Sequence, residues 1–508
     1  MRTEKPFFSR LFAWVLIGAG TLFRVRHLFR IPLDEPCCLG GLFYEFSRQI
    51  QLHHFALPRV IPWYSEGGIP FAYPPLGFYL HAALSALLSP PKFLLINILP
   101  PLLAVLSLPL FYALAKEWYE KDAPALAALF AYAFMPAAFT NQIEAAGLAE
   151  ATGSLALLAY AYALLRFERE SRLRSVMASG VFLAASIAAS PGSAIGATTL
   201  SLLYAATLLP RARRAALPKL LLVGVLGALL SAPYWGLVLR NHGAEVFLRP
   251  IAGQYAGAQT GFFLLRFLKY ILKFNIADGS IALVWNALIF LGFSWMLLEN
   301  QVFLPLLFLA FALIPRENVW LVAFPAAFLA ASALVEWLLP GLSTRAALQN
   351  QRGKRRALLL VTILLLVLSA GAILPSEQKL SDENMRLPSR EIASMESIRE
   401  ELPENAKLIV LGSETFKEWA PQILRREVIN EIYGLEWKPQ TLARVLSLNE
   451  MLDRACSWEE IESALIQYGN LKTVYLLSEP RTFCGETPPA LWADESLTLY
   501  LISLEGTP

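Results

Sequence analysis

Charge is what this chain has least of. Only 16% of its residues are Asp, Glu, Lys or Arg, whereas 56% are hydrophobic, which excludes an ordinary soluble domain of this length. Histidine is scarce, at five residues, and no HExxH-type spacing marks a metalloenzyme centre. No glycine-rich phosphate loop follows a strand, so a nucleotide fingerprint is absent. Internal repeats and low-complexity segments are also missing, and no nucleic-acid partner is expected. Four cysteines are too few for a disulfide framework, although Cys456 and Cys484 both fall in the polar C-terminal part and could pair in an oxidising compartment.

What remains is a series of apolar runs of membrane-spanning length. They lie near 11–24, 92–115, 124–141, 147–165, 175–190, 193–209, 219–238, 281–298, 301–315, 319–338 and 357–374, eleven in all. A further apolar stretch, 74–89, is short, opens with Pro74-Pro75 and carries His81. The positive-inside rule decides how to read it. Basic clusters at 166–174, 211–219 and 345–356 should share the cytoplasmic side of Arg2, Lys5 and Arg10, and eleven crossings achieve this. Residues 74–89 are therefore expected as a helix along the outer interface, inside one long external loop, 25–91. The first span has the charge and length of a signal sequence without a small-residue cleavage site, and reads as uncleaved.

Charge is also unevenly divided. Residues 377–508 carry 13 Lys/Arg against 23 Asp/Glu, leaving 30 against 17 for the apolar part. The expected fold is a polytopic α-helical membrane protein of about eleven spans plus juxtamembrane helices. It has two domains: a transmembrane domain over 1–375 and a soluble extracytoplasmic α/β domain over 376–508. Within the latter, strand-like segments at 407–412, 427–430, 472–477 and 497–504 alternate with helical ones near 414–424, 440–453 and 458–468. The expected location is the plasma membrane, with the N-terminus in the cytoplasm.

Residues able to carry chemistry collect at the outer face. Asp34 and Glu35 follow the first span, and carboxylates at the mouth of an apolar bundle are costly to desolvate unless they handle a proton, a cation or a substrate. Asp34 reads as a general base or cation ligand; the competing reading makes it the cap of a helix over 37–49. Glu144 and Glu150 flank the outer start of the 147–165 span, where they could orient a sugar, join Asp34 around a divalent metal, or simply suit a solvated turn and a helix N-terminus. Arg316 lies in a tight external turn and can hold a phosphate bidentately, or else snorkel to the headgroups. Arg240, Arg249, Arg266, Lys269 and Lys273 are weaker phosphate candidates, and His53, His54 and His242 are weak metal candidates.

Taken together these pieces resemble the C-type membrane glycosyltransferases, in particular the protein O-mannosyltransferase and aminoarabinose-transferase branch. Leu33-Asp34-Glu35 is similar to that family's acidic pair in the first external loop, and Tyr73-Pro74-Pro75-Leu76 to its His/Lys-Pro-Pro-Leu segment. Glu150 stands where the family has a second-loop acid, and Arg316 through Pro325 resembles its late Arg-aromatic-Pro turn. Tyr73 replaces the usual basic residue, and Ala72 an acid that joins a metal site in some relatives. The resemblance implies an inverting glycosyltransferase that moves a sugar from a polyprenyl-phosphate donor to a glycan, lipid or protein acceptor on the outer face. Asp34 is then the base, Glu35 and Glu150 position substrate or cation, Arg316 holds phosphate, and Tyr73, Pro74 and Pro75 shape the donor cavity. The alternative from another class is a transporter or flippase, but that class favours carboxylates at mid-membrane and repeated halves.

Overall fold

The computed structural model describes residues 6–29, 32–36, 38–170, 173–208, 217–248, 282–313, 319–340, 363–364, 367–368, 386–469, 471–481 and 483–504. Of the expected spans, the one at 357–374 lies largely outside these residues. The others appear as helices: α1 (Pro6–Val25), then, after two shorter helices, α4 (Leu94–Tyr119), α5 (Asp122–Phe134), α6 (Leu148–Glu170), α7 (Leu173–Ala189), α8 (Pro191–Leu203), α9 (Leu217–His242), α10 (Ala282–Leu298), α11 (Phe303–Ala312) and α12 (Val319–Ser332). Five helical stretches among the described residues are long and apolar enough to cross a membrane by length and composition. At 1.5 Å per residue the 26-residue α4 reaches about 39 Å, more than the roughly 30 Å of a hydrocarbon core.

Local chemistry sets the helix ends. The expected run 124–141 stops at Phe134 because Pro136 cannot continue it, and a 3₁₀ turn, Pro136–Ala138, follows. The carbonyls that this ending leaves without helical partners are met by a residue of the first span. Buried Arg24 donates to Ala133 O (2.9 Å) and Tyr132 O (3.1 Å), tying the C-terminal end of α1 to the end of α5. Ser190 caps α8 by accepting from Ser193 N, with Pro191 in the first turn.

The shorter helices α2 (Gly41–Leu52) and α3 (Leu76–Leu88) pack against each other. α3 has 13 residues, about 20 Å, short of a hydrocarbon core, and buries Gly77, Phe78, His81 and Ala82 along one face. Between these helices, β1 (Val60–Ile61) and β2 (Ile69–Pro70) form a small hairpin.

The polar C-terminal part contains α13 (Ser389–Glu401), α14 (Glu414–Leu424), α15 (Pro439–Arg454) and α16 (Trp458–Tyr468) around a five-stranded sheet. With β3 (Lys407–Leu411), β4 (Glu427–Val428), β5 (Thr473–Ser478), β6 (Trp492–Ala493) and β7 (Thr498–Ser503), the strand order is β4-β3-β5-β7-β6. β3 pairs in parallel with β4 and β5, as helical crossovers require, and β7 runs antiparallel to β5 and β6. Leu408 through Leu411 are all buried, the continuous apolar run of a strand covered on both faces. Cys456 and Cys484 form a disulfide, with Cα atoms 5.2 Å apart.

The apolar core of this part does not stop at its own edge. One continuous cluster runs from the sheet through Trp419 and Phe416 to Phe46, Phe78 and Phe93 of the first loop and the start of α4. Trp419 lies edge-on to Phe93, at 5.4 Å between centroids. Tyr64, buried in the first loop, forms a parallel bridge to Val428 of β4.

Candidate active site at one end of the bundle

The first span ends in a tight turn in which Glu35 N donates to Pro32 O (3.2 Å), and Asp34 stands exposed within it. The carbonyls on either side of Asp34 are held by one side chain. Asn97 Nδ2, from the first turn of α4, donates to Leu33 O (3.4 Å) and to Glu35 O (2.8 Å). A primary amide suits the task because its two N–H groups can serve two carbonyls at once. The turn is therefore pinned to the bundle while its carboxylate remains open to solvent.

Glu35 has a different position. Its Oε1 accepts from Ser389 N (2.9 Å) and Ser389 Oγ (2.7 Å), so it supplies the acceptor that Pro388, the cap residue of α13, cannot. Leu387 N donates to Pro36 O nearby. Burial, helped by Glu479, Asp494 and Glu35, raises the pKa of Glu391 in the same first turn to about 7.

The reading of Asp34 as a helix cap is corrected by the structure. α2 begins at Gly41, not near residue 37, and its cap residue Gly40 has no side chain to offer. The acceptor comes from the C-terminal part instead. Buried Glu418 takes Gly40 N (2.9 Å) and Gly41 N (2.7 Å) on Oε2 and Leu42 N (2.8 Å) on Oε1. Burial raises its pKa while the three N–H donors oppose the rise. The approach requires glycine: a Cβ on Gly41 would lie 2.8 Å from Glu418 O and 3.0 Å from Trp419 Cα. Trp419 Nε1 adds a bond to Cys38 O (2.9 Å). Each part thus caps a helix of the other, Glu35 for α13 and Glu418 for α2.

The second acidic loop meets the first. Ala146 N donates to Leu39 O (2.7 Å), and a Cβ on Gly40 would lie 2.5 Å from Ala145 Cβ. Glu144, half-buried, precedes this 3₁₀ turn, Ala145–Gly147, and Glu150, also half-buried, sits in the first turn of α6. The start of α3 packs on the same turn of α6, where a Cβ on Gly77 would come 2.9 Å from Thr152 Oγ1. Pro74 and Pro75 are buried and Tyr73 half-buried, and Tyr234 of α9 donates to Ala72 O (2.8 Å) beside them. The elements carrying Asp34, Glu35, Glu144, Glu150, Tyr73, Pro74 and Pro75 thus converge at one end of the bundle.

Arg316, Arg249, Arg266, Lys269 and Lys273 lie outside the described residues. Arg240 is exposed in the last turn of α9. His53 Nδ1 lies 2.8 Å from Gln49 O at the end of α2. Among the described residues no three His, Cys, Asp or Glu side chains gather into a ligand set.

Sequence reasoning missed Asn97, Ser389 and Glu418. Asn97 left a trace, as the one amide in the apolar run Leu94-Leu95-Ile96-Asn97-Ile98-Leu99. Glu418 left none, because an acid in an amphipathic helix reads as a solvated residue.

No protein-family model and no curated protein matches the sequence. Solved structures do match in fold. The oligosaccharyltransferase AglB of Archaeoglobus fulgidus, in complex with an inhibitory peptide and a dolichol-phosphate, aligns over 93% of this chain and 70% of its own at 13% identity, TM-score 0.59. ArnT of Cupriavidus metallidurans in the apo state aligns over 97% of both chains at 14% identity, TM-score 0.52. The arabinofuranosyltransferase AftD from Mycobacteria aligns over 94% of this chain and 35% of its own at 14% identity, TM-score 0.53. With its helical bundle and its paired acidic loops at one end, the chain shares the fold of these three proteins.

Proposed function

We propose that this protein is an inverting glycosyltransferase that moves a sugar from a polyprenyl-phosphate donor to an acceptor on the outer face of the membrane. The observation that carries the reading is the pinned turn. Asp34 is exposed while Asn97 holds the carbonyl before it and the carbonyl after it. A general base works when its carboxylate is held within hydrogen-bond reach of the acceptor hydroxyl, and fixing the backbone on both sides does that without occupying the carboxylate. The dolichol-phosphate held by a protein of the same fold supports a lipid-phosphate donor here.

In this reading Asp34 removes the acceptor proton as the new bond forms at the anomeric carbon, and the phosphate departs as an anion that needs no acid. Glu35 shapes the site through its bonds to Ser389, which join the base-bearing loop to α13. Glu144 and Glu150 orient the sugar from the second loop, and Tyr73, Pro74 and Pro75 wall the donor. Arg316 holds the leaving phosphate, the pairing a guanidinium makes best. The topology that goes with this has eleven crossings, a cytoplasmic N-terminus and an extracytoplasmic C-terminal domain. The Cys456–Cys484 disulfide supports that side for the domain, since disulfides persist in oxidising compartments.

The test is release of free polyprenyl phosphate by the full chain in lipid, offered a panel of polyprenyl-phosphate sugars and mixed acceptors, beside Asp34→Asn. Turnover by the parent that falls about 10²–10⁴-fold in the variant is expected. A folded parent that releases nothing from any donor, or a variant as fast as the parent, refutes the assignment.

A further inference from the structure

Between α2 and α3 lies a cavity of about 390 Å³, within the range of small-molecule sites, which the catalytic reading does not use. Its lining is rich in hydrogen-bond donors. Arg48 and Lys92 bring positive charge, half-buried Tyr44 and Ser85 bring hydroxyls, and among the described lining residues there is no carboxylate.

Arg48 is held in place by the protein itself. Its Nε and Nη2 donate to Glu45 (2.9 and 3.2 Å), and its guanidinium lies over the Trp63 ring at 5.1 Å. This leaves the Nη1 amino group without an acceptor among the described residues. Glu45 is fully buried, so it presents no charge to the cavity, and burial raises its pKa, which weakens its compensation of Arg48. Lys92 pairs with Glu396 at 2.6 Å, but both side chains are exposed and solvent screens the pair. A third cation stands nearby: burial, and then the charges of Arg48 and Arg399, lower the pKa of Arg425 at the end of α14. Like charges gathered in this way repel one another, and an anion among them relieves the repulsion.

The rim of the cavity is apolar. Phe55 lines it and is exposed, Leu52 follows the lining residue Gln51 and is exposed, and Leu87 and Leu88 at the end of α3 are 79% and 61% exposed. Apolar side chains beside a cationic hollow suit a ligand with a phosphate at one end and hydrocarbon at the other. The place is also remote from the double proline of the catalytic reading, since Ser85 lies about 15 Å along α3 from Pro75 at 1.5 Å per residue.

We propose that the α2–α3 cavity binds the phosphate of an anionic membrane lipid, with Arg48 and Lys92 as its charged partners and Tyr44 and Ser85 as hydroxyl donors. The acyl chains then run over Leu52, Leu87 and Leu88. A soluble phosphate ester could use the same donors, and the test separates the two sources.

The full chain in detergent, with no polyprenyl phosphate added, is titrated by native mass spectrometry with three ligands. They are phosphatidylglycerol, phosphatidylcholine with the same acyl chains, and glycerophosphoglycerol, the first headgroup without its tails. Arg48 is left intact because its loss strands buried Glu45; the variants are Lys92→Gln and Ser85→Asp, both at the half-buried or exposed edge. Arg454→Gln, which removes an exposed cation of α15, is the control for general charge. Phosphatidylglycerol should bind saturably, about fivefold or more tighter than phosphatidylcholine and about tenfold or more tighter than its bare headgroup. Lys92→Gln should weaken it about fivefold, Ser85→Asp at least as much, and Arg454→Gln less than about twofold, all at unchanged thermal stability. The proposal is overturned by equal binding of the two lipids, by affinity indifferent to both cavity variants, or by an equal loss in the control. A bare headgroup that binds as tightly as the lipid overturns the lipid source and assigns a soluble phosphate ester. Turnover plays no part in these readings, so they are independent of the glycosyl-transfer assignment.

Discussion

The exchange of helix caps between the first loop and the C-terminal part can be tested most directly at Glu418. Its carboxylate accepts three backbone N–H groups that begin α2, and no side chain of Gly40 can stand in. Glu418→Ala leaves three donors at a buried interface, each worth about 1–3 kcal/mol when unsatisfied. Water that enters the vacated volume recovers part of this, so the net loss is about 3–5 kcal/mol, the range for breaking a buried charged interaction. Glu418→Gln should lose less, about 1–2 kcal/mol, because its oxygen can keep Gly40 and Gly41 while its amide turns a donor toward Leu42 N. The assay is amide hydrogen exchange in nanodiscs, read at residues 40–42. At about 1.4 kcal/mol per tenfold, Glu418→Ala should cut protection by about 10² to 4 × 10³-fold, with Glu418→Gln between it and the parent. Protection within about threefold of the parent in the alanine variant would refute the claim that this carboxylate holds the helix start.

Replacing Asn97 with Leu keeps its volume but frees the carbonyls on both sides of Asp34, so kcat should drop by about 10–10²-fold with the donor KM little changed; an unchanged kcat would argue against the pinned turn. Glu431 is buried, and although Ile432 N and Tyr433 N donate to it, burial dominates and raises its pKa to about 8. A carboxyl raised on folding favours the native state fully below the unfolded Glu range and loses that contribution as pH climbs through the folded value. The melting temperature should therefore fall between pH 5 and pH 8, by a margin worth roughly a few kcal/mol, and Glu431→Gln should flatten the slope; equal slopes would count against it. The Cys456–Cys484 bridge closes a separation of 28 residues, so replacing both cysteines with Ser should lower stability by about 3–4 kcal/mol in thermal melts while leaving turnover at low temperature intact.

Patterns of short range were legible in the sequence. α14 spans the expected 414–424, and α16 spans 458–468, with a capping box between Ser457 and Glu460. β3 and β5 fall within one residue of the segments read as strands, because an apolar run bounded by polar residues defines them locally. The position of the acidic turn after α1 was also readable, whereas the sequence left the Cys456–Cys484 pairing open. What was not readable involves partners far apart in the chain. Asn97 reaches back more than sixty residues to its carbonyls, and Glu418 finds Gly40 across 378 positions. Composition suggested a border near residue 376, since the charge balance changes there, yet the apolar cluster passes from Trp419 to Phe93 without a break. The change in charge marks where exposed surface begins, and side-chain packing follows a different boundary. α13 was overlooked because its start borrows an acceptor from Glu35 and so shows no capping residue of its own.

The swapped caps also impose an order on biosynthesis. The amides of Gly40–Leu42 leave the ribosome long before their acceptor, which lies 376 to 378 residues later. At about 5–20 residues per second the wait is roughly 20–80 s, during which every span between them must be inserted. Throughout that interval the first loop lacks both its helix-starting acceptor and the wall of its core that Trp419 supplies. The earliest loop to be made is therefore among the last to be finished, and a chain arrested before residue 418 presents a bundle whose first loop has not yet been closed.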